Sequence, residues 1–420
     1  MNLEQWSGNA LLVAFILYNI SFIVYMIAIA GKKWSNRDPI MHQQRWSRVA
    51  FILTVIGLVA QITYFITRWF AAGHVPTSNM FEFMTFLSMA IVAAFIVLFA
   101  IYRISALGLF AMPVSVVLIS YASVFPKEVQ PLIPALKSYW LYVHVATAAL
   151  GEAFFAIGFA AGLMYLLRTV DYSSKTKESR NSRLGIEFTL YAIVVVIGFV
   201  LITNGFKSAE YSAQFTQEVQ QKDEKSGELI TVTKTTNYTL PPFIQPSNSN
   251  MERMDPFLGM DQPLLSAPSW MKGIDSGRKL NTIIWSLLSG LILYWLLRLI
   301  IRKPLGAGIQ RYMGGIDAED LDEISYRAIA IGYPIFALGA LIFAMIWAHE
   351  AWGRFWGWDP KETWALITFL FYTVYLHLRL SRGWQGLKSS WLSVIGFLVV
   401  MFTLIGVNLI IAGLHSYAGV

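Results

Sequence analysis

Cysteine is absent from the 420 residues. That excludes thiolate nucleophiles, thiolate metal centres and disulfides within the chain, so any thiol chemistry belongs to a substrate or a partner. Charge is sparse: Asp, Glu, Lys and Arg together make up 14%, against about a quarter in a typical soluble domain. Apolar residues reach 56%, and the two figures together describe an integral membrane protein. A phosphate-cradling glycine loop, a metalloprotease histidine pair and a nucleophile elbow are all missing. The chain has no internal repeat and no low-complexity tract. Its net charge of +7 points away from a nucleic-acid partner and toward basic flanks on membrane spans.

Ten apolar runs approach spanning length, at about 10–30, 48–67, 84–102, 104–124, 140–167, 185–204, 280–301, 327–347, 363–380 and 390–413. The first has neither a basic leader nor a small-residue cleavage site, so it reads as a retained helix. Alternate connections hold most of the Lys and Arg: Lys32 to Arg48, Arg103, Arg168 to Arg183, Arg302 to Arg327, and Arg379 to Lys388. The positive-inside rule places these in the cytoplasm and both termini outside. The expected fold is all-α, a polytopic membrane helix bundle of about ten transmembrane helices with one larger external cap. It divides into 1–204, a cap at 205–278, and 279–420. The cap carries the strand-like run ELITVTKTTNYTL at 228–240, which predicts a hairpin. The outward connection WFAAGHVPTSNMFEF at 69–83 resembles a short interfacial helix.

Tryptophan is unevenly placed. Five of the 15 fall within 347–364: Trp347, Trp352, Trp356, Trp358 and Trp364. Interfacial tryptophans are common because indole has an apolar body and one N–H donor. Five in one short outward loop exceed what anchoring needs and suggest a flat platform for a large planar ligand. The loop ends in Asp359-Pro360-Lys361-Glu362, which reads as a capping box that starts the next helix. Arg354 suits a ligand carboxylate or, equally, a lipid phosphate.

There are six histidines: His42, His74, His144, His349, His377 and His415. His144 lies just inside the outer end of the fifth span and His415 just past the outer end of the tenth, on the face of the tryptophan loop. Two such imidazoles can hold a heme iron from opposite faces. A histidine near a helix end can equally bond a headgroup or a backbone carbonyl. His377 lies roughly 21 Å in from the outer face, at 1.5 Å per residue. Ionisable groups at that depth are costly and point to function, although nearby Arg379 allows a place at the inner headgroups. His74 and His349 suit solvated or carboxylate-contacting roles, and His42 an ordinary basic loop.

WGRFWGWD at 352–359 resembles the tryptophan signature of heme-handling membrane proteins. DEISYRAIAIGYP (322–334), YLHLR (375–379), GVNLIIAGLHSY (406–417), GHVPTSNMFEFMTFLS (73–88) and LKSYWLYVHV (136–145) make the chain similar to the CcsA (ResC) family of cytochrome c biogenesis proteins. The likeness covers roughly 40–168 and 322–417. It implies heme b as bound substrate, with His144 and His415 as axial ligands of an external site. Trp352, Gly353, Arg354, Trp356, Gly357, Trp358 and Asp359 would hold the heme edge by positioning, with no acid–base residue. His377 would belong to an inner heme site. The implied partners are a CcsB (ResB)-like membrane protein, apocytochrome c with its CXXCH motif, and thiol-reducing proteins. The implied activity is that of a cytochrome c heme lyase acting with the CcsB-like partner. The implied place is the bacterial inner membrane, with the tryptophan loop on the periplasmic side. His349 stands where Asn is expected in many members, and 169–321 is longer than the usual connection. A heme exporter without ligation, or a membrane scaffold or quinone-site subunit, would be the rival readings.

Overall fold

The computed structural model describes residues 3–31, 38–129, 137–222, 229–268, 276–314 and 316–407. Among them are ten helices long and apolar enough to cross a membrane, because each apolar run exceeds the length that spans a bilayer core. His415 lies outside the described residues. Contacts divide the chain into two compact units, residues 1–187 with 303–419, and Phe188–Arg302.

The first unit contains α1 (Leu3–Ala30), α2 (Pro39–Ala72), α3 (Met80–Tyr102), α4 (Gly108–Ala122), α5 (Tyr139–Thr169) and the start of α6 (Lys177–Ser208). Its centre is α5, the most deeply buried of the ten spans among the described residues. Helices α1 and α2 pair through buried polar contacts, Tyr18 Oη donating to Gln61 Oε1 at 2.7 Å and Ser21 Oγ to the Ala50 carbonyl at 2.9 Å. In hydrocarbon such side chains persist because they find partners.

No separate interfacial helix forms over 69–83. Helix α2 runs on to Ala72, and Asn79 caps α3 by accepting from Glu82 N at 2.9 Å. An ion pair fixes the turn between them. Arg68 Nε meets Glu82 Oε1 at 2.9 Å, and Glu82 Oε2 accepts from Ser78 N and Oγ. Both charges are almost fully buried, so each is held by several bonds rather than left to lipid. The helix stops there because Gly73 caps α2 in the left-handed region at φ 71° and Pro76 has no amide hydrogen to continue it.

The rest of the first unit begins at Lys303. A short α8 (Leu305–Gln310) precedes α9 (Ala318–Phe336), a π-helical turn (Ala337–Phe343) and α10 (Ala344–Trp352), one continuous span. Then come α11 (Pro360–Arg382) and α12 (Leu387–Met401), which ends in a second π-helical turn (Phe402–Gly406). On α11 the buried residues Thr368, Tyr372, Tyr375 and Arg379 recur every three or four positions and face inward.

The second unit joins the C-terminal part of α6, from Phe188, and α7 (Ser276–Ile301) to the cap. The expected hairpin is present: β1 (Ala213–Lys222) pairs antiparallel with β2 (Leu229–Tyr238). Strand β4 (Ser249–Met254) adds to the other edge of β1, and β3 (Ile244–Gln245) pairs with β5 (Leu265–Ser266). Asn281 of α7 grips β3, accepting from Ile244 N at 3.1 Å and donating to its carbonyl at 2.7 Å. Trp285 Nε1 donates to Pro241 O at 2.8 Å, with Phe206, Phe243 and Phe257 around its ring.

Candidate heme site

A cavity of about 210 Å³ opens in the first unit between α5, the first π-helical turn, α10 and α11. His144 stands on its wall, held from two sides. Its Nδ1 lies 2.9 Å from the Gly339 carbonyl. A carbonyl only accepts, so Nδ1 carries the proton and Nε2 is the unprotonated nitrogen, the form in which an imidazole binds a metal. Its ring also lies nearly parallel to that of Trp347, at 11° and 5.7 Å between centroids.

The π-helical turn supplies that carbonyl. Gly339 O also accepts from the Ala344 N–H, so the wide turn leaves it exposed sideways toward α5. Only glycine fits there: a Cβ on Gly339 would lie 2.3 Å from Ala148 N. Such bulges recur at functional sites. Here the bulge lets two helices approach closely enough for an imidazole to reach across.

Trp347 is 2% exposed and packs against Leu141, Val145 and Trp352. It is a site residue that sequence reading placed in the loop but did not assign. The expected flat platform does not form. Trp347 and Trp352 meet at 61° and Trp356 and Trp358 at 85°, because edge-to-face packing suits the ring quadrupoles. Trp356 buries its Nε1 with no hydrogen-bond partner among the described residues. Trp358 is 70% exposed with φ 56°, a conformation sparsely used by bulky residues and common at functional sites.

Glu362 sets the loop's shape. Asp359 Oδ1 accepts from Lys361 N at 3.0 Å, and the expected capping box on α11 is complete. Glu362 Oε2 also accepts from Gly357 N at 2.7 Å and Asp359 N at 3.2 Å, on both sides of Trp358. Gly353 ends α10 in the left-handed region at φ 69°, and the Arg354 guanidinium lies against Gly357. Lys361 also lines the cavity, a cation that the capping reading overlooked.

The remaining histidines separate. His377 is exposed on the surface of α11, whereas its neighbours Tyr375 and Arg379 face inward. Arg379 Nη1 meets Asp322 at 2.7 Å, and Gly386 N donates to the same carboxylate. His377 therefore does not join His144. His349 is exposed and stacks on Phe355 at 4.3 Å. His74 is buried rather than solvated, its Nδ1 3.1 Å from Val75 O. His42 Nε2 lies 3.1 Å from Ile27 O.

Residues 77–208 and 282–415 match the profile of the cytochrome C assembly protein family. The chain is 29% identical over 411 residues to cytochrome c biogenesis protein CcsA of Gloeobacter violaceus, covering 96% of this chain and 95% of the relative. Against the protein of that name from Nostoc punctiforme it is 30% identical over 419 residues, 99% and 98% of the two chains. Against that of Pyropia yezoensis it is 28% identical over 421 residues, 99% of each. The likeness is thus wider than 40–168 and 322–417. It takes in the cap and the two spans beside it, so these are no departure from such relatives.

Proposed function

The chain belongs to the cytochrome c assembly protein family, and on that premise we propose that it is the heme-handling subunit of a cytochrome c synthase. It is an integral membrane protein with a role in cytochrome c biogenesis. The observation that carries the finer reading is His144, with its proton fixed on Nδ1 and its ring laid along Trp347 at the cavity wall. This is the tautomer and the rigidity an axial ligand requires.

The surrounding residues suit heme b as substrate. The cavity walls are mostly apolar, and Lys361 beside the cavity and Arg354 in the loop offer cations for two propionates. The buried Trp356 N–H lacks an acceptor among the described residues, and a propionate would supply one. At about 210 Å³ the cavity falls below the 300–1,000 Å³ that encloses a whole small-molecule ligand. That suits a macrocycle held by one edge with the other left outward. His415, outside the described residues, would be the second histidine to hold the iron.

Presented this way, heme would meet the CXXCH motif of apocytochrome c. Each thiol adds across a vinyl group, sulfur to one carbon and hydrogen to the other, with no net oxidation. The chain contributes position rather than proton transfer, and well-held reactants alone are worth about 7–11 kcal/mol of barrier. The absence of cysteine keeps competing thiols from the vinyl groups. His377, open on the surface of α11, is assigned to an inner heme site completed by a CcsB (ResB)-like partner. The tryptophan loop faces the periplasmic side in this reading.

Purified protein is expected to show bis-histidine heme absorption bands. Replacement of His144 or His415 should remove them. Unchanged heme content and spectrum in both variants would overturn the assignment.

A further inference from the structure

A carboxyl group in the cavity has no use in the function proposed so far. Glu152 lies on α5 two turns inward of His144, on the same face, and both line the cavity. It is buried, and its Oε2 has no hydrogen-bond partner among the described residues. An unpaired polar group at such a site costs stability and calls for an explanation. Structural need does not supply one. The same helix packs tightly through Phe155, Phe159 and Leu163, and an apolar residue would fill this position without that cost.

The titratable groups near Glu152 come from few elements. On α5 there is His144, and on α11 there are Lys361, Glu362 and Tyr372. The buried Tyr372 hydroxyl also lacks a partner among the described residues. The first π-helical turn contributes Ala340 and the second contributes Thr403 and Leu404 to the cavity, none of them titratable. Glu82 of α3 is committed to Arg68, and Glu350 of α10 accepts from Ser138 Oγ at 2.9 Å. Glu152 is therefore the buried carboxyl of the cavity with an uncommitted oxygen.

We propose that Glu152 is a proton-binding site coupled to the oxidation state of heme held at His144. This rests on the heme reading above. When ferric heme takes one electron from an external donor, the site gains one negative charge. Glu152 carboxylate then takes up one proton from water at the outer mouth of the cavity and becomes neutral. Where Glu152 is ionised before reduction and neutral after it, one electron and one proton are gained together. At a coupling of about tenfold, uptake peaks at about half a proton per electron, midway between the two protonation equilibria. Eight helical residues separate His144 from Glu152, a rise of about 12 Å. Two unit charges at that spacing, at an effective dielectric near 20, alter each other's equilibrium by about tenfold.

The test is a redox titration of the heme-loaded protein with dithionite, from about pH 5 to about pH 9, the range that covers a buried carboxyl. The wild type should show its heme reduction equilibrium constant falling about tenfold in total across that range. In Glu152→Gln the dependence should vanish, with the value fixed at the low-pH limit of the wild type. Redox difference infrared spectra should show a protonated-carboxyl C=O band growing on reduction in the wild type and absent from the variant. Heme retained with an unchanged pH profile in Glu152→Gln would overturn the proposal. Should that variant not fold, Glu152→Asp and the wild-type infrared spectrum decide: the pH profile kept and the carboxyl band present support it, and a wild-type spectrum without that band overturns it. Failure of the wild type to bind any heme would instead strike the heme reading itself.

Discussion

His144 and His377 sit on α5 and α11 of one unit, yet the bundle gives them opposite surroundings. His144 has a carbonyl on one side, a tryptophan ring on another and a cavity in front. His377 has the open flank of α11, with Leu370, Val374 and Leu380 exposed around it. A neutral imidazole can be a ligand in either place, but only the first is pre-set in tautomer and direction by this chain. On the proposed function, the difference separates what this chain would complete by itself from what it would need another for. An outward heme site would stand in the isolated subunit, while an inner one would await a second surface.

The largest expected effect separates the two directly. His144→Ala should abolish bis-histidine absorption in the isolated subunit, and in the assembly with its partner cytochrome c formation should fall at least about 10–100-fold, the range seen for lesions merely behind a ligand. His377→Ala should leave those bands in place. Loss of the outward bands in His377→Ala would break the comparison. Next comes Gly339→Ala. Its Cβ meets Ala148 N at 2.3 Å, so the helices must part, at about 1–3 kcal/mol. Heme affinity should drop about 10–100-fold, read by heme titration of the variant.

Glu362→Gln should act more gently. It weakens acceptance from Gly357 N and Asp359 N, a capping-scale loss of about 0.5–2 kcal/mol. Hydrogen exchange at the amides of 357 and 359 should quicken while those of mid-α5 stay protected. His377→Ala itself should change the isolated subunit's unfolding free energy by no more than about 0.5 kcal/mol, as a surface substitution does. In the assembly with its partner it should remove a second heme signal.

The smallest effect lies in the cap and serves as a control. Asp255 is held below the usual carboxylate range by its bonds to Arg253 and to Ser212 N. A folded value below the unfolded one stabilises the fold above the unfolded value, about 3.9, and that contribution is lost as pH falls through the folded value. Exchange at the Ser212 amide should therefore rise only below about pH 4, with the His144 heme bands unmoved above it.

Much of this was legible along the chain. The ten spans were, because an apolar run of bilayer length has few alternatives to a helix. The capping box at Asp359 to Glu362 was, because it is a contact within one turn. The β1–β2 hairpin was marked by its threonine and valine run. What escaped depends on neighbours far away in sequence. Trp347 reads like any interfacial tryptophan until α5 lays His144 along it. Gly339 reads like an ordinary glycine of a membrane helix until its carbonyl proves to be the imidazole's acceptor. Glu152 sits within an apolar run and shows no motif, and His74 suited a solvated or a carboxylate-contacting role equally until the turn between α2 and α3 buried it.

By itself, then, the sequence determined the family, the number of spans, the tryptophan loop and which imidazoles were available. These follow from local periodicity and motif, which a chain carries without folding. Tertiary structure alone decided which imidazole is held ready, that the tryptophans pack edge to face, and that a carboxyl group stands uncommitted in the cavity. Each depends on groups brought within a few ångströms by helix packing. Such proximities are set by how side chains fill space between helices, and no spacing along the chain records them.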